Sequence, residues 1–345
     1  MGRPSSATNP VGQIPLRNLW RLRTISLLSD ESDSRLVQDI VAETAESIRN
    51  MTIRGAGRIA RAGAGAIGAF AEGYTGNTLE GFRTDLDEAV RSILASRPTA
   101  VSLWNGVHST IRDVDSSSSV DQARESVIRN AADFCARSEK AVETIARIGA
   151  KRIEDGDTVM THCNSSAAVG VIEEAHRQGK EFRVFATESR PWRQGILTVT
   201  QLAEAGVDVT LIIDSAVRYV MNDTDKVFVG ADTITSHGAV INKIGTSQLA
   251  LAAHEARTQF YVCGETYKFS PMTMAGDMVE IEERETSEVV GPGEIPDSVK
   301  IYNPVFDSTP AQYIDAIITE VGMVPPTAVY SIMVRQLGDA VFYKE

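Results

Sequence analysis

The chain has 345 residues, 43% of them hydrophobic and 23% charged, an ordinary composition for a soluble globular protein and long enough to expect more than one core. No stretch approaches the roughly 18 uninterrupted apolar residues of a membrane-spanning helix. A net charge of −12 and a pI near 5.0 disfavour DNA or RNA as partner, since affinity for phosphopolymers comes largely from Lys and Arg, but leave room for a small anion held by a few basic residues in one cleft.

The first residues, 1–15, are rich in Gly, Pro and Ser and lack an apolar core, so they read as a mobile tail rather than a secretory signal or an anchor. From 16 to 155 the pattern is mainly helical. Residues 34–48 place Leu36, Ile40, Val41, Thr44 and Ile48 mostly at three- and four-residue steps, one apolar helix face. Residues 58–72 are dominated by Ala and Gly, which predicts a helix that its neighbours approach closely. Residues 117–153 predict a longer amphipathic helix with Val127, Ala131, Phe134, Ala141, Ile145 and Ile148 in the core.

From 156 to 345 the texture changes to short apolar runs, at 158–161, 182–186, 207–213, 226–230 and 259–263, alternating with helical stretches at 167–178, 196–205, 215–221 and 246–257. Strands alternating with crossover helices predict a doubly wound, mostly parallel, Rossmann-like sheet. The fold class is therefore α/β, a helical domain followed by a sheet domain, with a last helix running from about Pro325 to Leu337. Ligands of such sheets bind at the carboxyl ends of the strands. Polar residues follow those ends here: His162-Cys163-Asn164, Glu188-Ser-Arg190, Asp214, Asp232 and the segment 265–268.

The cysteines (Cys135, Cys163, Cys263) form no CxxC pair, which argues against a disulfide framework or a zinc site and points to a reducing, cytoplasmic setting. No histidine pair has HxxxH spacing, and no metal is expected. Cys163 stands where a strand gives way to a helix, near Ser165 and Ser166. Free amides and the helix dipole there would lower a thiol pKa or hold an anion, while the alternative is a small buried apolar residue. Asp232 ends an apolar run, where a carboxylate is costly unless hydrogen-bonded or used; loop capping is the other reading. Asn242-Lys243 is read as opening the next helix, able to hold a phosphate or hydroxyl or simply to cap. Arg54-Gly-Ala-Gly-Arg58 leads into a helix, and its glycines would let backbone amides close on an anion, although it is neither a P-loop nor a GxGxxG. Arg97 offers a further basic contact or a helix stop.

Taken in order, Ile53-Arg-Gly-Ala-Gly-Arg-Ile59, Ser96-Arg-Pro-Thr-Ala-Val101, Thr161-His-Cys-Asn164, Thr187-Glu-Ser-Arg-Pro191, Gly230-Ala-Asp-Thr-Ile234, Gly238-Ala-Val-Ile-Asn-Lys-Ile-Gly-Thr246 and Asn303-Pro-Val-Phe-Asp307 resemble one superfamily. It unites archaeal ribose 1,5-bisphosphate isomerases, methylthioribose 1-phosphate isomerases, and the alpha, beta and delta regulatory subunits of the translation initiation nucleotide-exchange factor. The resemblance spans about 33–340 and is greatest to the first group. The regulatory subunits usually lack the Cys163 and Asp232 pair, and the methylthioribose group typically has proline in place of Gly57.

This resemblance implies Cys163 and Asp232 as catalytic residues. It implies substrate contacts from Arg54, Gly55, Ala56, Gly57, Arg97, Ser165, Ser166, Asn242, Lys243 and Lys268. The implied chemistry is aldose–ketose isomerisation: Asp232 protonates an oxygen as the furanose opens, and a Cys163 thiolate takes the C2 proton. It further implies a small phosphorylated sugar substrate, no cofactor, AMP as a possible effector, a homo-oligomer built from dimers, and a role in salvage of nucleotide ribose. The alternatives it leaves are a methylthioribose 1-phosphate isomerase and a non-catalytic translation-factor subunit.

Overall fold

The computed structural model describes residues 33–275 and 279–337; the expected tail at 1–15 lies outside the described residues. The described residues begin with helices α1 (Asp33–Arg49), α2 (Ala56–Gly73), α3 (Leu79–Ala95), α4 (Val101–Ile111) and α5 (Val120–Gly149). Side chains set the ends of two of them: Thr78 Oγ1 accepts the Gly81 amide ahead of α3, and Ser119 Oγ the Gln122 amide ahead of α5. On α1 the buried face is Val41, Ala45 and Ile48, while Ile40 and Thr44 stay half-buried at its margin.

The Ala- and Gly-rich α2 runs through the middle of the bundle. Its buried Ile59, Ile67 and Phe70 meet Phe82 and Leu86 of α3, Leu103 of α4 and Val127 of α5 in one cluster. Small residues let α4 and α5 come close: a Cβ on Gly63 would stand 2.4 Å from Leu103 Cδ1. On α5, Val127, Ala131, Phe134, Ala141 and Ile145 are buried as the periodicity predicts, and Ile148 is half-buried.

The second part is a seven-stranded sheet in the order β10-β9-β7-β4-β1-β2-β3. Its members are β1 (Thr158–His162), β2 (Arg183–Thr187), β3 (Asp208–Ile212), β4 (Lys226–Gly230), β7 (Gln259–Cys263), β9 (Ala316–Thr319) and β10 (Gly322–Val324). All neighbours pair in parallel except β10, which turns back on β9. Helices α6 (Ser166–Arg177), α7 (Gly195–Glu204), the single turn α8 (Val217–Val220) and α9 (Thr246–Ala256) make the crossovers, and α10 (Val329–Leu337) is the last element among the described residues. The expected α/β architecture is present. Strands β1, β4 and β7 are buried almost throughout because they are covered on both faces, which is why they read as continuous apolar runs.

A feature absent from the sequence reading is a separate antiparallel sheet of β5 (Thr233–Ile234), β6 (Val240–Lys243) and β8 (Phe306–Thr309). It corrects the placement of Asn242 and Lys243. They do not open a helix; they end β6, with Asn242 opposite Asp307 and Lys243 opposite Phe306. The helix starts at Thr246, and its end is satisfied by Asp307, whose Oδ2 accepts the Gly245 amide at 2.7 Å and the Ser247 amide at 3.1 Å.

Candidate active site

The chain order places the site. It runs outward from β1 through β2 to the β3 edge, then returns to β4 on the other flank of β1 and continues outward through β7 and β9. The direction of winding thus reverses between β1 and β4, and a crevice opens beyond the carboxyl ends of strands at such a reversal. His162 at the end of β1 is in register with Val229 near the end of β4. Cys163 and Asp232 follow those two adjacent strands, so neighbours in space come from distant positions in sequence.

Strand geometry stops at Cys163, which turns into the left-handed region with φ 64°. The turn is clamped on three sides. The Cys163 amide donates to Ser189 Oγ at 2.8 Å, its carbonyl accepts from Thr198 Oγ1 at 2.7 Å, and Asn164 Nδ2 donates to the same Thr198 oxygen at 3.0 Å. His162 is enclosed beside it. Its Nδ1 lies 2.6 Å from Thr187 Oγ1 and its Nε2 2.8 Å from the Ile244 carbonyl, and burial pulls its pKa down, so the ring is neutral and both nitrogens are engaged. Ser165 caps α6 by accepting the Ala168 amide, with Ser166 as the first helical residue. Gly230 makes this packing possible: a Cβ there would stand 2.5 Å from Ser165 Oγ.

The electrostatics correct one expectation. Burial pushes the Cys163 thiol up to about 11; the Lys243 ammonium and the Asn164 amide pull it down, while Asp232 and Asp214 push it further up. The helix end does not win, because the thiol precedes the cap by two residues and sits in a desolvated floor where the charged form is costly. Lys243 is 9% exposed, its ammonium 5.1 Å from the centre of the Phe306 ring. Burial lowers its pKa, opposed by attraction to Cys163 and Asp232. Asn242 is oriented by donating from Nδ2 to Thr246 Oγ1 at 3.0 Å.

The opposite wall belongs to the helical part. Gly55, with φ 91°, is the residue before α2 and has no side chain to cap it, leaving the amides of Ala56, Gly57 and Arg58 at a bare helix start. The Arg54 guanidinium stacks over the Trp192 ring at 5.6 Å. Arg58 is exposed; partial burial and then the neighbouring Arg61 and Arg54 lower its pKa. Two of the expected cations are already engaged. Arg97 Nη2 pairs with Glu282 Oε2 at 3.0 Å, and Lys268 Nζ with Glu265 Oε2 at 2.6 Å.

Every residue expected at the site lines this one cleft: Cys163 and Asp232 on the floor, Asn242, Lys243 and Lys268 beside them, Ser165 and Ser166 at the α6 start, and Arg54, Gly55, Ala56, Gly57 and Arg97 across from them. Arg58, Asn164, Gln194, Leu197, Gly230 and Phe306 line it too and were not singled out. Arg58, Asn164, Gly230 and Phe306 stand within the motif strings already quoted. Gln194 and Leu197 carry no sequence signal, since only the β2–α7 crossover brings them there. Cys263 is buried within β7, and Cys135 faces the Arg61 carbonyl. Among the described residues no His, Cys, Asp and Glu side chains converge as a metal site, and no helix is long and apolar enough to cross a membrane. A thiol and a carboxyl group near an ammonium, faced by arginines and free amides, suit proton transfers on a bound anion.

Comparison with known proteins bears on which anion. The chain is 53% identical over 300 residues to a ribose 1,5-bisphosphate isomerase of Archaeoglobus fulgidus, covering 87% of this chain and 94% of that protein. It is 37% identical over 319 residues to a methylthioribose-1-phosphate isomerase of Thermosipho africanus, covering 87% and 92%. The crystal structure of the translation initiation factor eIF-2B of Pyrococcus horikoshii OT3 superposes with a TM-score of 0.72 at 34% identity, covering 83% of this chain and 97% of that one. The profile of the initiation factor 2 subunit family matches residues 52–326, and with these relatives it establishes that the chain belongs to that family.

Proposed function

We propose that this chain is an aldose–ketose isomerase that converts ribose 1,5-bisphosphate into ribulose 1,5-bisphosphate. The observation that carries this reading is the likeness to the A. fulgidus isomerase of that name over nearly its full length, well above the likeness to the methylthioribose enzyme. The cleft supports it in kind: arginines and helix-start amides at one end, proton-transfer groups at the other, and two ammonium groups, Lys243 and Lys268, beside those groups.

In the proposed mechanism Asp232 donates a proton to the ring oxygen as its bond to C1 breaks. Cys163 then removes the C2 proton, leaving an enol that still carries the C1 phosphate. The thiol returns that proton to C1 while the C2 hydroxyl passes its own to Asp232, so the ketose forms and both residues end as they began. Acid–base steps of this kind are worth about a hundred- to ten-thousandfold each. Cys163 must act as thiolate, and its burial makes that form scarce at rest; Lys243 and the Asn164 amide are the groups that favour it. The reaction would pass nucleotide-derived ribose toward central carbon metabolism. Control by AMP and a cytoplasmic assembly of dimers belong to the same proposal and rest on the family resemblance.

The test is incubation of the pure protein with the alpha anomer of ribose 1,5-bisphosphate, alone and with methylthioribose 1-phosphate as competitor. Ketose bisphosphate forms preferentially on this reading. Absence of turnover, or preference for the methylthio sugar, removes it.

A further inference from the structure

Lys268 does not reach the cleft as a free surface lysine. Its side chain is 6% exposed, and it is paired with the Glu265 carboxylate, 1% exposed, on the turn that follows β7. The other Glu265 oxygen, Oε1, accepts a hydrogen bond from the Tyr267 hydroxyl at 3.0 Å. Ser138 Oγ on α5 donates to that hydroxyl at 3.0 Å, and Arg61 Nη1 on α2 donates to Ser138 Oγ at 3.0 Å. These three donors run one way, from the helical part to the Glu265 carboxylate, which the ammonium faces from its other side.

The turn is further fastened to the helical part, while its Thr266 amide donates to the Glu320 carboxylate beyond β9 at 3.0 Å. Asn105 Nδ2 on α4 donates to the carbonyls of Tyr267 and Phe269 at 2.7 and 2.9 Å, and the Tyr267 ring meets Phe134 edge-on at 5.3 Å. The anion loop rests on this turn as well, because a Cβ on Gly57 would stand 2.9 Å from the Tyr267 hydroxyl and 3.5 Å from Glu265 Oε1. Burial and the Glu265 charge hold the phenol pKa well above its ordinary value, so Tyr267 keeps the proton it donates.

A lone buried ammonium either loses its proton or leaves toward water. A carboxylate paired with it compensates its charge and keeps it in place. We propose that Glu265 and Tyr267 are positioning residues, which fix the Lys268 ammonium at the cleft and tie its place to the helical part that carries the Arg54 loop. The two ends of the anion site are thereby set at one spacing, which suits a substrate with a charged group at each end. This role rests on the isomerase reading above.

The experiment is steady-state isomerisation of ribose 1,5-bisphosphate by the full chain and by Tyr267→Phe, Glu265→Gln, Lys268→Met and the double variant Glu265→Gln/Lys268→Met, with thermal midpoints recorded in parallel. Lys268→Met and Glu265→Gln each lower kcat/KM by about tenfold, mainly through KM, which is the sign of lost substrate binding. The double variant is no worse than Lys268→Met, because the carboxylate acts only through the ammonium. Tyr267→Phe keeps the ion pair and the ring packing, takes the donor from a buried carboxylate oxygen, and lowers kcat/KM by about threefold with a modestly lowered midpoint. It also decides the matter should Glu265→Gln fail to fold. Multiplicative losses in the double variant, or unaltered kinetics in Tyr267→Phe, overturn the positioning role alone. No turnover by the unaltered chain overturns the proposed reaction and this role with it.

Discussion

The two walls of the cleft are built on opposite principles. The helical wall offers the half-buried Arg54 just before a bare helix start and the exposed Arg58 in its first turn, where charge costs little because water still reaches it. The sheet wall holds Lys243 and Lys268 below the surface and Cys163 half-buried beside them, where each charge must be matched by a neighbour or given up. One side can attract and hold an anion without much reorganisation. The other can shift proton affinities, because desolvation acts there with little screening.

That contrast predicts where substitutions will hurt. The largest effects lie on the sheet wall. Cys163→Ser and Asp232→Asn should each lower kcat for ribose 1,5-bisphosphate by about a hundred- to ten-thousandfold, read as ketose formation, with little change in thermal midpoint. Loss confined to KM would instead make both residues binding groups and dissolve the contrast.

The next effect is in pH. An acid whose pKa is raised to about 11 gains thiolate steadily as pH rises through the neutral and alkaline range and loses it as pH falls. Alkylation of Cys163 by iodoacetamide, followed by peptide mass spectrometry, should therefore accelerate about a thousandfold from about pH 7 to about pH 10. A plateau near about pH 8.5 would show an ordinary thiol and put the sheet wall on the same footing as the loop.

A smaller effect concerns packing. Gly230→Ala would drive a Cβ to 2.5 Å from Ser165 Oγ, against a capped helix end rather than a mobile tip. Urea unfolding should show a loss of about 1–3 kcal/mol. The smallest effect belongs to the first turn of α2: Arg58→Gln should raise KM about fivefold and leave kcat nearly unchanged, as expected for an exposed charge-assisted contact. A large fall in kcat would mean that the helical wall takes part in the chemistry.

Much of the sheet was legible because β1, β4 and β7 bury both faces and therefore appear as unbroken apolar runs ending in polar residues. The antiparallel sheet was not. Val240 and Ile241 are too short a run to distinguish from a helix approach, and β6 becomes a strand only by pairing with β8, far along the chain. The motif strings delivered residues that do line the cleft, since strand ends and helix starts are local features. They said nothing of the engaged state of Arg97 or Lys268, because Glu282 and the Tyr267–Ser138 link are brought in by tertiary contact.

The sequence by itself determined the alternation of strands and helices, which polar groups stand at the strand ends, and the sign of charge that each segment carries. Only the tertiary structure decided that β1 and β4 are neighbours, which sets Cys163 beside Asp232, and that burial pushes the thiol pKa up where the helix start alone would pull it down. The reason is physical: hydrophobic period and capping are written in nearby residues, whereas proton affinity depends on how much water is removed, and that is a property of the whole packed chain.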